Sequence, residues 1–469
     1  MNYFLKTLLP FLFLIGFFLC NAQKSKEKSL LFENIKTGAE NHQKYLPLLQ
    51  NKKVGILTNQ TGVVISQSFQ TKKERTITDT EEFVTKTSTV YLEEKHLVDF
   101  LIENKINIQK IYAPEHGFRG TADAGELIKD GKDTKTGLPI ISLYGNNKKP
   151  TKEQLSGIDI MIFDLQDVGA RFYTYISSLH YLMEACAENN IPLIVLDRPN
   201  PNGNIIDGPT LEKEHTSFVG MHPIPVLHGM TIGEYAQMIN GEKWLNLSTS
   251  SGQALKCDLT VVECTNYKRN MLYSLPVAPS PNLPNDKAIN LYASLCFFEG
   301  TNVSVGRGTD KQFQIYGSPY LPKEVYSVVV QNPHSDRCGT DETVTVYKEL
   351  SRDEVKKYNI ETLKKESLFS FVPKPNLGAK NPLYNGKTCY GRDLSQMKVS
   401  SLYLGWLIDA YNKTEDKSKF FNNFFVKLAG TKKLQQQIEQ GLSESEIRKT
   451  WEKDLEKFKQ IRKKYLIYN

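Results

Sequence analysis

A glutamate and a histidine stand side by side in Pro114-Glu115-His116-Gly117-Phe118-Arg119-Gly120, with Asp123 and Glu126 close behind. Carboxylates next to an imidazole and a guanidinium suit general acid–base work, because neighbouring charges and partial burial tune proton affinity. Glu115 is therefore the leading candidate for a direct chemical role. Four other polar clusters have a related composition. They are Asn59-Gln60-Thr61, Tyr144-Gly145, the stretch from Asp164 through Gln166 and Asp167 to Arg171, and the stretch from Asp197 through Arg198 and Asn200 to Gly203. Carboxylates move protons, amides and Arg bind hydroxyls and charges, and Tyr and Phe cover ring faces, a mixture that fits a carbohydrate. A purely structural role competes at several of these positions. Asp164 with Arg171 and Asp197 with Arg198 are equally good candidate ion pairs, and Tyr173 could equally open the buried face of a helix.

Each cluster follows a short apolar run, and that order says what positions it. Val54–Thr58, Ile108–Ala113, Pro139–Leu143, Asp159–Leu165 and Pro192–Asp197 read as strands. Between them lie amphipathic segments, clearest at Tyr175, Ile176, Leu179, Leu182, Met183 and Cys186, which recur at helical spacing. Short apolar strands alternating with helices predict a parallel sheet covered on both faces. Ligands of such sheets bind outside the carboxyl ends of the strands, where all five clusters fall. Leu92–Glu103 has helical spacing, and Thr231-x-x-Glu234 is a capping box opening a helix through Ile239. Residues 65–90 are polar and Thr/Lys-rich, and read as an inserted surface excursion between the first strand and the first helix.

Prolines crowd between Tyr273 and Pro284. They divide the chain into an N-terminal α/β domain at 30–275 and a smaller α+β domain at 276–469. Strand-like pieces at Tyr326–Gln331 and Thr343–Tyr347 mix there with helices, and a last helix opens at Ser443-x-x-Glu446 and continues through Trp451 toward Tyr465.

Several functions are excluded or disfavoured. No G-x-G-x-x-G follows the first strand, and neither a Walker A motif nor a G-x-S-x-G elbow is present. The doubly wound pattern thus carries no nucleotide fingerprint and does not by itself make a dehydrogenase. The eight His form no zinc signature, so neither metal nor cofactor is expected. A formal charge of +7 over 469 residues, with basic and acidic residues interspersed, gives no nucleic-acid footprint. Lys6, the apolar run Leu8–Leu19 and Ala22 describe an export signal over residues 1–22, too short to span a membrane. A lipid anchor at Cys20 is the lesser alternative, because Phe17-Phe18-Leu19 lacks small residues. The expected location is periplasmic or extracellular, with no stable membrane span after cleavage. Seven Cys at irregular spacing make no disulfide scaffold, and Cys186 belongs to a helix's apolar stripe.

Taken in order, these stretches resemble the NamZ (YbbC-like) exo-β-N-acetylmuramidases, glycoside hydrolases of cell-wall recycling. The matching segments are GILTNQTG at 55–62, PEHGFRG at 114–120, ADAGE at 122–126 and DLQDVGARFYTY at 164–175. LDRPNPNG at 196–203, HGMTIGEYA at 228–236, PSPNLPN at 279–285 and FEGTNVSVGRGT at 298–309 continue the series. The resemblance implies a Rossmann-like N-terminal domain, a smaller C-terminal domain and an active site in the cleft between. It implies release of N-acetylmuramic acid from the non-reducing ends of peptidoglycan-derived disaccharides or glycan chains. Glu115 is then the general acid, with His116 beside it, and Glu299 is the candidate second carboxylate, in competition with Asp123, Glu126 and Asp167. Whether the outcome is retaining, inverting or assisted by the substrate's acetamido group is open. Arg119, Arg171, Arg198 and Arg307 are candidates for the lactyl carboxylate that distinguishes muramic acid from glucosamine. Asn59, Gln166, Tyr173, Asn200, His228, Asn282 and Asn302 would line or support the pocket. The competing functions are a non-catalytic receptor for wall sugars and a wall amidase or esterase.

Overall fold

The computed structural model of the protein describes residues 35–77, 82–119, 130–246, 252–331, 345–349 and 364–469. The expected export signal, Asp123, Glu126 and Cys338 lie outside the described residues. Strand β1 (Lys53–Thr58) leads into a hairpin of β2 (Val63–Ile77) and β3 (Glu82–His96), then β4 (Asn107–Ala113), β5 (Gly131–Lys132), β6 (Pro139–Ser142), β7 (Ile160–Asp164), β8 (Leu193–Leu196) and β9 (Leu259–Val262). The main sheet has the order β5-β6-β4-β1-β7-β8-β9 and is parallel except for β5 at one edge.

Both faces of this sheet are covered, which is why its strands read as unbroken apolar runs. Side chains alternate by the period of two. Leu57, Met161, Phe163, Leu193 and Val195 join one core with the helices Tyr175–Asn189 and Ile232–Gly241. Val54, Ile56, Ile160, Ile162 and Ile194 join the other, with Tyr45, Leu49, Leu97 and Leu101 from the helices His42–Leu49 and Leu97–Glu103.

The C-terminal part is α+β. It has antiparallel sheets of β10 (Ile315–Ser318), β15 (Cys389–Asp393) and β14 (Phe369–Phe371), and of β12 (Thr345–Glu349), β11 (Glu324–Gln331) and β13 (Lys364–Ser367). Its Leu291, Phe297, Phe298, Leu407, Phe425 and Trp451 belong to the same core as Leu179 and Phe163. The two parts therefore share one apolar interior. Cys186, Cys257, Cys264, Cys296 and Cys389 are buried free thiols. Among the described residues no helix is long and apolar enough to cross a membrane.

Three local expectations change. The expected insertion at 65–90 carries strand structure on both sides of its described part, a two-stranded ribbon paired from Val63↔His96 to Ile77↔Glu82. Because β3 runs on to His96, the following helix starts at Leu97 rather than Leu92, and His96 caps it by accepting from the Val98 amide at 3.2 Å. The final helix is two. The Ser443 capping box opens Glu444–Lys449, the chain turns at Trp451 (φ −108°, ψ 0°), and Glu452–Arg462 follows. The Thr231–Glu234 capping box is present with both of its hydrogen bonds.

The candidate ion pairs are crossed. Asp164 ends β7 and takes Arg198 beyond neighbouring β8, with Nε–Oδ1 at 2.6 Å and Nη2–Oδ2 at 2.9 Å; Arg198 also donates to the Val63 carbonyl. Asp197 instead accepts from the Thr231 hydroxyl, the Gly233 amide and the Tyr468 hydroxyl, the last at 2.7 Å. Glu234 pairs with Arg269 and accepts from the Ile467 and Tyr468 amides. Residues 467–468 are thus stitched into the N-terminal domain.

Arg198→Met would leave Asp164 buried without its cation, which costs about 3–5 kcal/mol. Urea unfolding should show a loss of that size, largely recovered when Asp164→Leu is added. A loss of the single variant below about 1 kcal/mol would contradict the buried pair.

Candidate active site

The strand order reverses between β1 and β7, since the chain moves outward through β4 and β6 on one side before returning to β7, β8 and β9 on the other. Such a switch point opens a crevice at the carboxyl edge. Beside it, β4 ends in a tight turn closed by the Gly117 amide on the Pro114 carbonyl at 3.0 Å. His116 (φ +72°) and Gly117 (φ +76°) are both left-handed. A non-glycine residue there costs about 1–3 kcal/mol and persists only when its surroundings enforce it. The turn presents the half-buried Glu115 to the edge. Its Oε1 accepts from the Tyr144 hydroxyl at 2.8 Å and its Oε2 from the Thr174 hydroxyl at 2.7 Å. Both carboxylate oxygens are thereby fixed in direction.

The neighbouring residues form a scaffold. Asn59 donates to the Tyr175 hydroxyl at 2.6 Å and accepts from the Thr61 amide and hydroxyl. Tyr173, Tyr175 and Gln60 all donate to the Pro279 carbonyl, tying the Pro-rich segment to the sheet edge. Gln166 bridges the Asp167 and Pro199 carbonyls, and Asn200 holds the Met230 carbonyl and the Asn202 amide. Asn282 donates to the Gly378 carbonyl, and its Oδ1 is buried without a hydrogen-bond partner. The Asn302 Oδ1 is likewise buried and unpartnered. Asp167 accepts from the Gly169 amide at 2.7 Å, with the His228 Nε2 at 3.7 Å. Burial pushes the Asp167 carboxyl up to about 7 and His228 down to about 3. The His228 shift is reinforced by Arg462 and Arg171.

In the C-terminal part, Glu299 lies in a 3₁₀ turn at Cys296–Gly300. Its Oε1 accepts from the Arg307 Nε at 2.7 Å, and its Oε2 from the Cys296 thiol. The turn follows the helix Asp286–Leu295, whose Tyr292 ring meets Tyr173 edge-on at 5.9 Å. Glu115 and Glu299 are thus linked through the continuous segment Tyr173-Thr174.

All four candidate arginines already face internal acceptors. Arg198 is taken by Asp164. Arg171, fully buried, gives Nη1 to the Pro209 and Ile224 carbonyls and Nη2 to the Leu428 and Ala429 carbonyls. Arg307 faces Glu299. Arg119 stacks on Phe118 and pairs with Asp133 at 2.8 Å. Neither Arg171 nor Arg198 presents a surface to the crevice, so their expected role as ligand arms gives way to a structural one.

An aromatic wall was not visible in the sequence. The Tyr144 ring lies 6.3 Å from Phe218, which stacks on Tyr181 at 6.2 Å and 19°, and all three are half-buried. They come from the loop after β6, the stretch around Ser217–Gly220 and the helix Tyr175–Asn189. Only the pairing of distant segments brings them together. Faces of this kind suit the apolar side of a sugar ring.

Comparisons with known proteins follow this geometry. Residues 82–287 match the family described as exo-beta-N-acetylmuramidase NamZ, N-terminal, and residues 290–338 and 339–468 match exo-beta-N-acetylmuramidase NamZ, C-terminal. The chain is 36% identical over 438 residues to peptidoglycan beta-N-acetylmuramidase NamZ of Bacillus subtilis (strain 168), covering 90% of this chain and 89% of that protein. Two crystal structures of DUF1343 family proteins from Bacteroides fragilis NCTC 9343 share the fold. One has 39% identity and a TM-score of 0.70, the other 26% and 0.65; each alignment covers 93% of this chain and 99% of that one.

Asp167 makes stability depend on pH. Its folded pKa of about 7 lies above the unfolded value of about 3.9, so between the two the folded chain holds a proton that the unfolded chain releases. That contribution is complete below about pH 4 and is lost as pH rises through 7. Asp167→Asn should therefore remove a downward component of the stability–pH curve between about pH 4 and 7, read from urea midpoints. An identical slope in both proteins would show that Asp167 titrates normally.

Proposed function

The chain belongs to the exo-β-N-acetylmuramidase NamZ family, whose members are glycoside hydrolases, and we propose that it releases N-acetylmuramic acid from the non-reducing ends of peptidoglycan fragments with Glu115 as general acid. The observation that carries this reading is the Glu115 carboxyl. It is oriented by two hydroxyls, held on a strained turn at the strand edge, and placed next to an aromatic wall. Hydrolysis must protonate the leaving glycosidic oxygen while positive charge develops on the sugar ring. The Tyr144 and Thr174 hydroxyls that orient the carboxyl can each donate or accept a hydrogen bond.

Glu299 is the second carboxylate in this reading. Matched by Arg307, its negative charge is fixed in place, which suits it to stabilise the oxocarbenium-like transition state or to orient water. Asn282 and Asn302, each with a buried carbonyl oxygen lacking a hydrogen-bond partner, are suited to hydroxyl or acetamido N–H groups. Residues 1–22 export the enzyme toward the wall, where its substrate lies.

Purified protein should release the chromophore from an aryl β-N-acetylmuramide and leave the matching glucosaminide nearly uncut, with or without a chelator. Glu115→Gln should lower kcat about 10²–10⁴-fold while retaining sugar binding, measured by calorimetry. Normal turnover by that variant would remove Glu115 from the mechanism. Sugar binding without turnover by the wild type would mark a receptor, and chelator-sensitive release of peptide or acyl groups a different enzyme.

A further inference from the structure

Muramic acid carries a carboxylate that glucosamine lacks, and a site that prefers it needs a cation not already neutralised. Arg119, Arg198 and Arg307 each lie at ion-pair distance from a carboxylate, and Arg171 is enclosed by four backbone carbonyls. Lys149 is shared between Glu184 and Glu188. Lys148 differs. Its ammonium lies 5.0 Å from the centroid of the Phe218 ring, it is half-buried, and among the described residues it has no ion pair.

Its position completes the case. Lys148 and Tyr144 belong to one loop after β6, braced by the Asn147 side chain on the Ser142 carbonyl at 2.7 Å. Tyr144 holds Glu115 through its hydroxyl and borders Phe218 with its ring. Glu115 and Lys148 therefore flank the same aromatic pair. A pyranose ring lying against that pair, with its anomeric oxygen at Glu115, turns its 3-O substituent away from the scissile bond, toward the Phe218 end.

We infer that Lys148, seated over Phe218, binds the lactyl carboxylate of the muramoyl residue and sets the preference for muramic acid over glucosamine. The inference rests on the proposed muramidase reading. The ring face and the stiff loop hold the ammonium partly desolvated, so that a carboxylate gains a charge-assisted hydrogen bond stronger than one made in open water. Phe218 and Tyr181 are the positioning residues of this clamp.

The test compares wild type, Lys148→Met, Lys148→Arg and Arg119→Met on an aryl β-N-acetylmuramide and on its lactyl methyl ester. Lys148→Met should lose about 10- to 100-fold in kcat/KM on the free acid, mostly in KM, and the gap from wild type should close on the ester. Lys148→Arg should restore part of the loss. A loss under about threefold, an equal loss on acid and ester, or a selective loss in Arg119→Met alone would overturn the assignment. Failure of the muramidase reading looks different, because wild type would then turn over neither substrate or Glu115→Gln would remain active.

Discussion

Among the described residues the buried Arg171 guanidinium has no carboxylate partner, and the junction of the two parts of the chain runs through it. Two of its acceptors, Pro209 and Ile224, belong to the N-terminal domain; the other two, Leu428 and Ala429, are the last carbonyls of the helix Phe424–Ala429. Helix ends leave such carbonyls without partners and carry partial negative charge, so one cation satisfies them from across the domain boundary. Burial lowers the Arg171 pKa to about 9, which leaves it charged at neutral pH. Gly430 permits the approach, since a Cβ there would lie 2.7 Å from the Arg171 Nη2 and the backbone is left-handed at φ +73°. The next residues inherit this register. Phe172 meets Tyr292 and Phe297, Tyr173 meets Tyr292, Thr174 reaches Glu115 and Tyr175 reaches Asn59.

Glu115 and Glu299 differ in the partners that hold them. Glu115 accepts from the Tyr144 and Thr174 hydroxyls, groups that can donate or accept. Glu299 is held by a guanidinium that can only donate. The turn that carries Glu115 and the segment from Tyr173 to Tyr175 fix the side chains around it. The strained His116 conformation belongs to that turn.

The strands were legible because a sheet buried on both faces leaves continuous runs such as Val54–Thr58 and Ile160–Asp164. The position of Glu115 at the strand edge was legible too, because a carboxylate after a strand-ending proline is local information. Partner choice was not. Sequence proximity suggested Asp164 with Arg171 and Asp197 with Arg198, whereas the adjacency of β7 and β8 decides it and pairs Asp164 with Arg198. The ribbon of β2 and β3 escaped for a related reason. A two-stranded ribbon is specified by cross-strand register, which leaves no apolar alternation to read in Thr- and Lys-rich residues. At Trp451 the same apolar spacing continues on both sides of a turn, so periodicity alone could not break the helix. Lys148, Phe218 and Tyr181 come from separate segments and meet only in the folded chain.

The tether of residues 467–468 to the main sheet bears on how the protein is made. Asp197 waits for a hydroxyl 271 positions further along the chain, and Glu234 for amides 233 and 234 positions away. A nascent chain therefore carries both carboxylates into a forming interior well before their donors leave the ribosome. Until then two buried carboxyl groups lack part of their hydrogen bonding. Arrival of Tyr468 closes that interval. The interior around Asp197 and Glu234 is therefore completed only once residues more than 230 positions further along the chain are in place.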